Sequence, residues 1–308
     1  MNQTLYKNTP LYQSHYLKAA YNRNVFYKMD CYQPSGSFKI RGMEVICRDY
    51  IAKGKTEFVA SSGGNAGYSL AYVGMKLKVK VKVIVPETTA SRMVTKIKEL
   101  GADVEVIGKD WNEAHQHATA LSKERDLPYI SPFDHPLLWQ GHSSVIDECA
   151  AEIAEPDKII VAVGGGGLIN GVFEGMKRNG WNSLVIAAET TGAASFAASY
   201  RSGKLVALDK IDTIATSLGA KQIASQTLEL AKNQHVSPYV ISDQKALLAV
   251  DRFLDEYNVL VEPACGAAIS YVYDNEVKIQ PEEKVLVIVC GGVGADQEQL
   301  RAYQSKLY

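Results

Sequence analysis

The amino-acid sequence predicts an α/β protein built from open, mostly parallel, twisted sheets. Strand-like apolar runs alternate with stretches of helical periodicity along nearly all of the 308 residues, which is typical of parallel strands joined by crossover helices. The chain has no internal repeat, low-complexity segment or long flexible linker. These observations favour two α/β domains packed against each other, and clefts between such domains often hold ligands.

The first predicted block has the order βαβαβ. Its elements are strands at 57–61, 79–86 and 103–108, and helices near 68–75 and at 91–102, the second of which closes at Gly101. After a proline-rich loop at 127–136, further strands are predicted at 158–163, 183–189, 237–242 and 284–290. We predict a small α/β domain of residues 37–131 and a large domain of residues 1–36 and 132–308.

Composition and charge argue against several classes of protein. Lysine and arginine number 33 against 34 aspartate and glutamate residues, without a dense basic stripe, so nucleic acid is not an expected partner. No apolar run approaches the roughly 18 to 20 residues of a membrane span, and we expect a soluble, cytoplasmic protein. The odd number of scattered cysteines, without a C-x-x-C pair, predicts reduced thiols rather than a disulfide framework or a zinc ribbon. They are Cys31, Cys47, Cys149, Cys265 and Cys290.

Lys39 lies where a loop turns into a helix, in the stretch "QPSGSFKIRG". Residues 34–37 have the composition of a turn, and apolar residues recur at helical spacing from Ile40 to Ile51. A lysine amine is normally protonated near neutral pH, but the positive end of a helix and removal from water both favour its neutral form. Lys39 is therefore a candidate nucleophile, and the alternative is an ordinary solvated surface charge.

Four consecutive glycines join a predicted strand to a predicted helix in "VAVGGGGLINGVFEG", residues 161–175. Backbone N–H groups and a helix N-terminus would converge between Gly164 and Leu168, and glycine permits the close approach of a phosphate. The dinucleotide spacing G-x-G-x-x-G is not met, so a single phosphate suits the loop better. The alternative is a tight turn between strand and helix that binds no ligand.

A third stretch, "SSGGNAG" at 61–67, also lies between a strand and a helix. Exposed amides together with Ser62 and Asn65 could bind an anion such as a substrate carboxylate, although any loop of this type may have the same composition without a ligand. The sequence contains neither an H-E-x-x-H zinc motif nor a G-x-S-x-G nucleophile elbow. Zinc and serine hydrolases therefore lose support.

Taken together, "PSGSFKIRG", "SSGGNAG", "VGGGGL", "VEPACGAA" and "VIVCGG" resemble the fold type II pyridoxal-5′-phosphate (PLP) enzymes, whose fold is like that of tryptophan synthase β. More narrowly, the chain resembles the L-serine/L-threonine dehydratases, which are ammonia-lyases. The resemblance covers nearly the whole chain, and the motifs occur in the order of that family. It implies that PLP lies in the cleft between the two domains and that the large domain binds it.

The resemblance also implies a role for each motif. Lys39 would be the Schiff-base lysine, Phe38 would pack beside the PLP ring, Asn65 would bond the phenolic oxygen and Cys290 would face the pyridine nitrogen. The phosphate would bind to Gly164, Gly165, Gly166, Gly167 and Leu168. The substrate carboxylate would bind to Ser62, Gly63, Gly64, Asn65 and Ala66. A monovalent cation such as K⁺ would be surrounded by Glu189, Ala193 and Leu218.

The implied reaction is β-elimination of L-serine to pyruvate and ammonia, and of L-threonine to 2-oxobutyrate, by a homodimer. The alternatives are another reaction of this fold type, such as serine racemisation, threonine deamination or β-replacement, and a non-catalytic small-molecule-binding module on the same scaffold. Three residues depart from the pattern of the dehydratases. Gly63 replaces a common alanine and would loosen the wall near the substrate, Val293 replaces a serine after Cys-Gly-Gly, and Asp296 adds a carboxylate.

Overall fold

A computed structural model describes residues 3–307, so residues 1, 2 and 308 of the predicted large domain lie outside the described residues. The strands are β1 (Leu11–Gln13), β2 (Asn24–Lys28), β3 (Glu57–Ala60), β4 (Lys80–Val85), β5 (Asp103–Val106), β6 (Lys158–Ala162), β7 (Leu184–Thr190), β8 (Val236–Ile241) and β9 (Lys284–Ile288). The helices are α1 (His15–Tyr21), α2 (Lys39–Ala52), α3 (Asn65–Leu77), α4 (Ser91–Glu99), α5 (Trp111–Glu124), α6 (Pro136–Ala150), α7 (Gly167–Asn179), α8 (Ser195–Ser202), α9 (Ser225–Ala231), α10 (Asp243–Tyr257), α11 (Pro263–Tyr273) and α12 (Gln297–Leu307).

The strands form two sheets. Six of them have the order β1-β2-β9-β6-β7-β8, in which only β1 runs antiparallel to its neighbour, and β3, β4 and β5 form a second, parallel sheet. The predicted α/β class with mostly parallel sheets is confirmed, and the ends of the seven predicted strands differ from the observed ends by no more than two residues. The division into domains at residues 37 and 131 stays a prediction.

Strands β1 and β2 were not predicted, because β2 carries a charge where a core strand normally has an apolar residue. Lys28, the last residue of β2, is fully buried, and its amine forms an ion pair with Glu148 at 2.8 Å. The amine also donates to the Thr9 carbonyl oxygen at 2.6 Å. A buried lysine is tolerated only when it is paired in this way, and the pairing cannot be read from the pattern of apolar residues.

Each sheet has its own apolar core. The larger core surrounds the six-stranded sheet, and the smaller core lies between the three-stranded sheet and helices α2 and α3. The α2 residues Ile40, Met43 and Ile46, which the sequence placed at helical spacing, all lie in the smaller core together with Leu138 of α6. Helix α2 is thereby fixed against both the small sheet and α6.

Arg41 anchors α2 from its other side. Its guanidinium is fully buried and forms paired hydrogen bonds to the Asp30 carboxylate, both at 2.7 Å, and to the Glu148 carboxylate at 2.6 and 2.8 Å. Burial alone would raise the pKa of Asp30, but the neighbouring Arg41 guanidinium outweighs burial and lowers this pKa. Because Arg41 follows Lys39 by two residues, this network fixes the beginning of α2 in space.

None of the helices within residues 3–307 combines the length and apolar character needed to cross a membrane.

We expect Arg41→Met to destabilise the fold. The methionine would leave Asp30 and part of Glu148 buried without a cation, which typically lowers the free energy of unfolding by about 3–5 kcal/mol. Urea unfolding followed by circular dichroism measures the change. Lys53→Met, directly after the same helix, removes an exposed ion pair with Asp49 and a contact with the Tyr50 ring, and this control should unfold like the wild type. Equal stability of the two variants would contradict the anchoring role of Arg41.

Candidate active site

Lys39 is the first residue of α2 and lies in a cleft between the two sheets. Its Nζ donates to the Pro132 carbonyl oxygen at 2.5 Å and lies 4.9 Å from the centre of the Phe38 ring. Burial lowers the pKa of Lys39 to about 8, although Cys290 and Glu262 act in the opposite direction. The predicted position of this lysine at a loop-to-helix junction is confirmed, and its surroundings favour the neutral amine more than water does.

The four-glycine loop follows β6 and ends where α7 begins, as the sequence predicted. Gly166 has φ of +98°, and a Cβ atom there would lie 2.0 Å from Thr227 Oγ1. A Cβ atom on Gly165 would lie 2.3 Å from the Phe133 ring, and one on Gly167 would lie 2.9 Å from the Phe133 carbonyl oxygen. Only glycine satisfies both the left-handed backbone and this close packing.

The loop and Lys39 meet through one short segment. Pro132 accepts the hydrogen bond from Lys39, and the next residue, Phe133, packs on Gly165 and Gly167. The amides of the first turn of α7 have no partners within the helix, and a helix N-terminus carries partial positive charge. This end of the cleft therefore suits an anion such as a phosphate. Phe38, behind Lys39, is buried and packs edge-on against His142 with ring centres 4.8 Å apart.

Asn65 is the first residue of α3 and crosses the cleft to Glu262. Its Nδ2 donates to Glu262 Oε1 at 2.7 Å, and Ser217 Oγ donates to Glu262 Oε2 at 3.0 Å. Burial raises the pKa of Glu262, and the positive charge of Lys39 partly offsets this increase. Asn65 Oδ1 is buried without a hydrogen-bond partner among residues 3–307, so the amide retains capacity for a ligand.

The loop at 62–64 precedes Asn65 and presents its backbone at the N-terminus of α3. Ser62, Gly63 and Gly64 are partly or fully exposed, whereas Ala66 is buried in the helix. The expectation that Gly63 loosens this wall is wrong for the structure, because Thr89 fills the space. A Cβ atom on Gly63 would lie 2.4 Å from Thr89 Cγ2. The threonine methyl group replaces the methyl group of an alanine.

Cys290 lies two residues beyond the end of β9, and its carbonyl oxygen accepts the Phe38 N–H at 2.9 Å. Its sulfur is 3.3 Å from the Cys265 sulfur, and Glu262 provides a carboxylate oxygen within 4.8 Å of both. The hydrogen bond with Cys265, followed by burial, raises the pKa of Cys290 well above its ordinary value. Since these donor atoms are engaged in hydrogen bonds, we interpret the cluster as a hydrogen-bonded unit rather than as a metal site.

The residues predicted to surround a cation lie near the glycine loop. Both oxygens of the buried Glu189 carboxylate accept backbone N–H groups of α8, from Phe196 and Ala197, at 2.8 Å each. Burial raises the pKa of Glu189 to about 8. Ala193 is buried in the turn after β7, and Leu218 packs on Gly164, whose Cβ would lie 3.2 Å from Leu218 Cα.

The two remaining departures from the family pattern lie at the edge of the cleft. Val293 packs on Gly36 in the loop before Lys39. The Asp296 carboxylate forms an ion pair with Arg92 of α4 at 2.9 Å and accepts the Gln299 N–H of α12 at 2.6 Å. The added carboxylate is therefore engaged by these two helices.

Several residues of the site were not identified from the sequence. Pro132 and Phe133 belong to a segment that was interpreted only as a loop between domains, and Glu262 and Cys265 belong to "VEPACGAA", a motif that was noticed without a chemical role. A glutamate directly before a proline that starts a helix was the available signal. It marks the N-cap position of α11, although the Glu262 side chain bonds to Asn65 and Ser217 and does not cap the helix.

The residues present fit PLP on chemical grounds. The cleft offers an amine of lowered pKa, a glycine cradle that any Cβ would fill, an asparagine amide with unused hydrogen-bonding capacity and a neutral thiol. The amine matches an aldehyde, the glycine cradle a phosphate, the acceptor Asn65 Oδ1 a phenolic O–H group, and the thiol a pyridine nitrogen.

Comparisons with known proteins agree with this chemistry. Residues 3–291 match the model of the pyridoxal-phosphate dependent enzyme family. An L-serine dehydratase/L-threonine deaminase of Mus musculus is 43% identical over 99% of this chain and 97% of its own length. An L-serine dehydratase of Dictyostelium discoideum is 38% identical over 96% of this chain and 91% of its own. A fungal L-serine ammonia-lyase from Rhizomucor miehei superposes with a TM-score of 0.95 at 36% identity, covering 99% of this chain and all of the other.

The family match spans most of the chain, and the relatives align along almost its whole length. The resemblance noted in the sequence is thereby confirmed, together with the fold type. The chain belongs to the pyridoxal-phosphate dependent enzymes of fold type II.

Proposed function

We propose that this protein converts L-serine to pyruvate and ammonia by PLP-dependent β-elimination, and L-threonine to 2-oxobutyrate and ammonia. The observation that carries the proposal is the Lys39 amine, which has a pKa near 8 and bonds to the segment packed on the glycine loop. The mouse, Dictyostelium and Rhizomucor relatives act on L-serine by their names, and the mouse protein also acts on L-threonine.

Lys39 would serve both as the attachment point of PLP and as a base. PLP, when bound, withdraws electrons from an attached amino acid and so makes the hydrogen on Cα acidic. With a pKa near 8, Lys39 Nζ is neutral in an appreciable fraction of molecules near neutral pH, and only the neutral nitrogen accepts a proton. Lys39 Nζ would then hold the proton taken from the substrate Cα.

The two glycine-containing loops would bind the two anionic groups separately. The amides from Gly164 to Leu168, at the start of α7, are proposed to hold the phosphate of PLP. The loop from Ser62 to Ala66, at the start of α3, is proposed to hold the substrate carboxylate. Asn65 Nδ2 is held by Glu262, and the unpartnered Asn65 Oδ1 would accept a hydrogen bond from the phenolic O–H.

Cys290 would present a neutral group to the pyridine nitrogen, and Phe38 would pack beside the ring. The bond with Cys265 and the burial of the side chain keep Cys290 in its thiol form at neutral pH. Unlike a carboxylate, a thiol offers no negative charge to stabilise a proton on that nitrogen. A neutral thiol at this position would favour prompt loss of the β-hydroxyl group of the substrate.

A monovalent cation such as K⁺ is proposed to bind at Glu189, with backbone oxygen atoms of Ala193 and Leu218. Two observations support this site. A cation would stabilise the charged form of a carboxylate whose pKa burial raises to about 8. In addition, Ser195 Oγ, beside the Glu189-bound amides, is buried without a partner among residues 3–307. The cation would brace the turn containing Leu218, which packs on Gly164 of the phosphate loop.

We also propose that the protein is a homodimer that associates through the face around β1. Strand β1 is the outer strand of the six-stranded sheet, so one edge is available for contact. Tyr12, Tyr16 and Tyr32 are each more than 40% exposed on or near this strand. Tyrosine is enriched at protein interfaces, which favours this face.

The proposed reaction predicts that L-serine yields pyruvate and ammonia in equal amounts, without accumulation of D-serine. Lys39→Ala removes the base and the attachment point, and kcat should fall by about 10²- to 10⁴-fold. The PLP-loaded wild type should show a visible absorbance band that borohydride abolishes, leaving a reduced PLP adduct on the peptide that contains Lys39. Coupled assays of keto acid, chiral chromatography and peptide mass spectrometry provide the measurements.

Lys53→Ala, at the far end of the same helix, is the matched control and should retain both colour and activity. A wild type that stays colourless with PLP would refute the cofactor assignment, and formation of D-serine in place of pyruvate would favour a racemase. A coloured protein whose absorbance does not respond to L-serine would favour a non-catalytic binding module.

The cation site predicts a pH-dependent stabilisation by K⁺. Glu189 has a folded pKa near 8 against an ordinary value of 4.5, so without a cation the folded state binds more protons than the unfolded state between these values. Stability from this group therefore falls as pH rises from 4.5 to 8. Binding of K⁺ to the carboxylate offsets the loss, and the rise in melting temperature produced by K⁺ should be larger at pH 8.5 than at pH 6. Glu189→Gln should abolish the difference, and a K⁺ effect equal at both pH values would argue against the site.

The dimer predicts a mass in solution of twice the monomer, measured by light scattering. Introduction of charge at the proposed face by Tyr12→Lys with Tyr32→Lys should shift the protein toward monomer, because like charges would meet across a two-fold axis. Leu205→Lys, at an exposed position elsewhere, is the control. A dimer that survives the double substitution unchanged would place the interface on another surface.

A further inference from the structure

Cys265 lies directly beside the thiol that we propose to face PLP. Its sulfur is 3.3 Å from the Cys290 sulfur, and both side chains are buried. The same sulfur accepts the Gly291 N–H at 3.1 Å and lies 2.9 Å from the Gly291 carbonyl oxygen, to which its S–H can donate. One side chain thus contacts both the thiol of Cys290 and the peptide group that follows it.

The sheet itself does not orient the Cys290 side chain. Strand β9 ends at Ile288, and the bond from the Phe38 N–H holds only the Cys290 backbone carbonyl. Rotation about the Cα–Cβ bond of Cys290 is left to side-chain contacts, and the hydrogen-bonding contact of its thiol is with Cys265.

Cys265 is well placed to provide a fixed contact. It is the third residue of α11, and its N–H donates to the Glu262 carbonyl oxygen at 2.9 Å. The next residue, Gly266, packs so closely on α10 that a Cβ there would lie 2.2 Å from the Ala246 carbonyl oxygen. The first turn of α11 therefore cannot shift without disturbing the packing of two helices.

We infer that Cys265 is a positioning residue that holds the Cys290 thiol and the Gly291 peptide in one orientation, so that Cys290 presents its sulfur to the pyridine nitrogen of PLP. The inference rests on the proposed function for the role of Cys290. The contact between the two thiols does not depend on it.

Removal of the Cys265 thiol should change the pKa of Cys290 in one direction. The hydrogen bond with Cys265 is the largest cause that raises the pKa of Cys290, and burial adds to it. Loss of the Cys265 sulfur should lower the pKa of Cys290, and each unit of that change means about tenfold more thiolate at a pH below both values. The thiolate is the nucleophilic form, so alkylation of Cys290 reports the change without any measurement of activity.

The experiment compares wild type, Cys265→Ala and Cys265→Ser as full-length proteins freed of PLP. Each is alkylated with iodoacetamide between pH 7 and 10, and mass spectrometry of the peptide containing Cys290 gives the rate. We expect Cys265→Ala to react about tenfold faster or more at pH 8, with its rate levelling off at a lower pH than in the wild type. Cys265→Ser should lie between the two, because its shorter side chain keeps a weaker contact. Cys47→Ala, which removes another buried thiol, should leave the Cys290 rate unchanged.

A general increase in access would raise the Cys290 rate without lowering the pH at which the rate levels off, and that result would overturn the inference, as would equal rates in all proteins. If the thermal transition shows that Cys265→Ala does not fold, the Cys290 alkylation rates of Cys265→Ser and wild type are compared instead, and the same criteria apply. PLP-loaded samples provide a separate readout. Cys265→Ala should shift the pH dependence of the PLP absorbance, and PLP should slow alkylation of Cys290 in the wild type.

Failure of the proposed function is distinguishable from failure of this inference. A wild type that does not bind PLP removes the cofactor readouts only, and the alkylation rates still decide whether Cys265 controls Cys290. An active, coloured enzyme whose Cys290 rate is indifferent to Cys265 refutes the positioning role alone.

Discussion

The site depends on the withdrawal of one amine from water. In water the charge of Lys39 would be well solvated and its nitrogen would not act as a base near neutral pH, whereas in the cleft its pKa is lowered to about 8. That change involves residues of both sheets, because Lys39 belongs to the helix that covers the small sheet and Cys290, which also acts on its pKa, follows β9 of the large sheet. The packing of the two α/β units is thus a chemical requirement as well as a structural one.

Around this amine the protein places paired charges at a distance and hydrogen-bonded groups close by. Arg41 is fully ionised, but its guanidinium is paired with the Asp30 and Glu148 carboxylates behind the helix. Nearer to the cleft, Cys290 is held as a thiol by Cys265, and the Glu262 carboxylate accepts hydrogen bonds from Asn65 and Ser217. Burial outweighs the influence of both groups on the pKa of Lys39. A strong carboxylate partner would have raised the pKa of the lysine and removed its capacity as a base. The first turn of α11 achieves this balance, since Glu262 holds Asn65 and Cys265 holds Cys290.

The features that were predictable from the sequence are those whose cause is local. Apolar periodicity predicts strands β3 to β9 and helix α2, since one face of each must be buried. The four-glycine loop was predictable because a left-handed residue and close packing both demand glycine, as Gly166 and Gly165 illustrate. Contacts between residues distant in the chain were not predictable. Arg41 bonds to Glu148, which is 107 residues away in the chain. The apparently scattered Cys265 and Cys290 meet because α11 begins, and β9 ends, at the same cleft. The effect of Gly63 was misjudged for the same reason, since Thr89 lies on a different loop.

The arrangement of helices explains why one cleft can both bind anions and lower the pKa of a lysine. Helices α2, α3, α7 and α11 begin at the cleft. Asn65 of α3 bonds to Glu262 before α11, and Lys39 of α2 bonds to Pro132, whose neighbour Phe133 packs on the glycine loop before α7. Each N-terminus contributes partial positive charge, which attracts a phosphate and a carboxylate and disfavours a further cation. The field that would hold the cofactor and the substrate therefore acts on Lys39 in the same direction as its burial. Once anions occupy the two loops, that field is partly neutralised, and protonation of Lys39 becomes easier than in the empty cleft. A base that gains affinity for a proton when its substrate is bound is suited to removing the hydrogen from Cα, and this coupling follows from the placement of four helix ends.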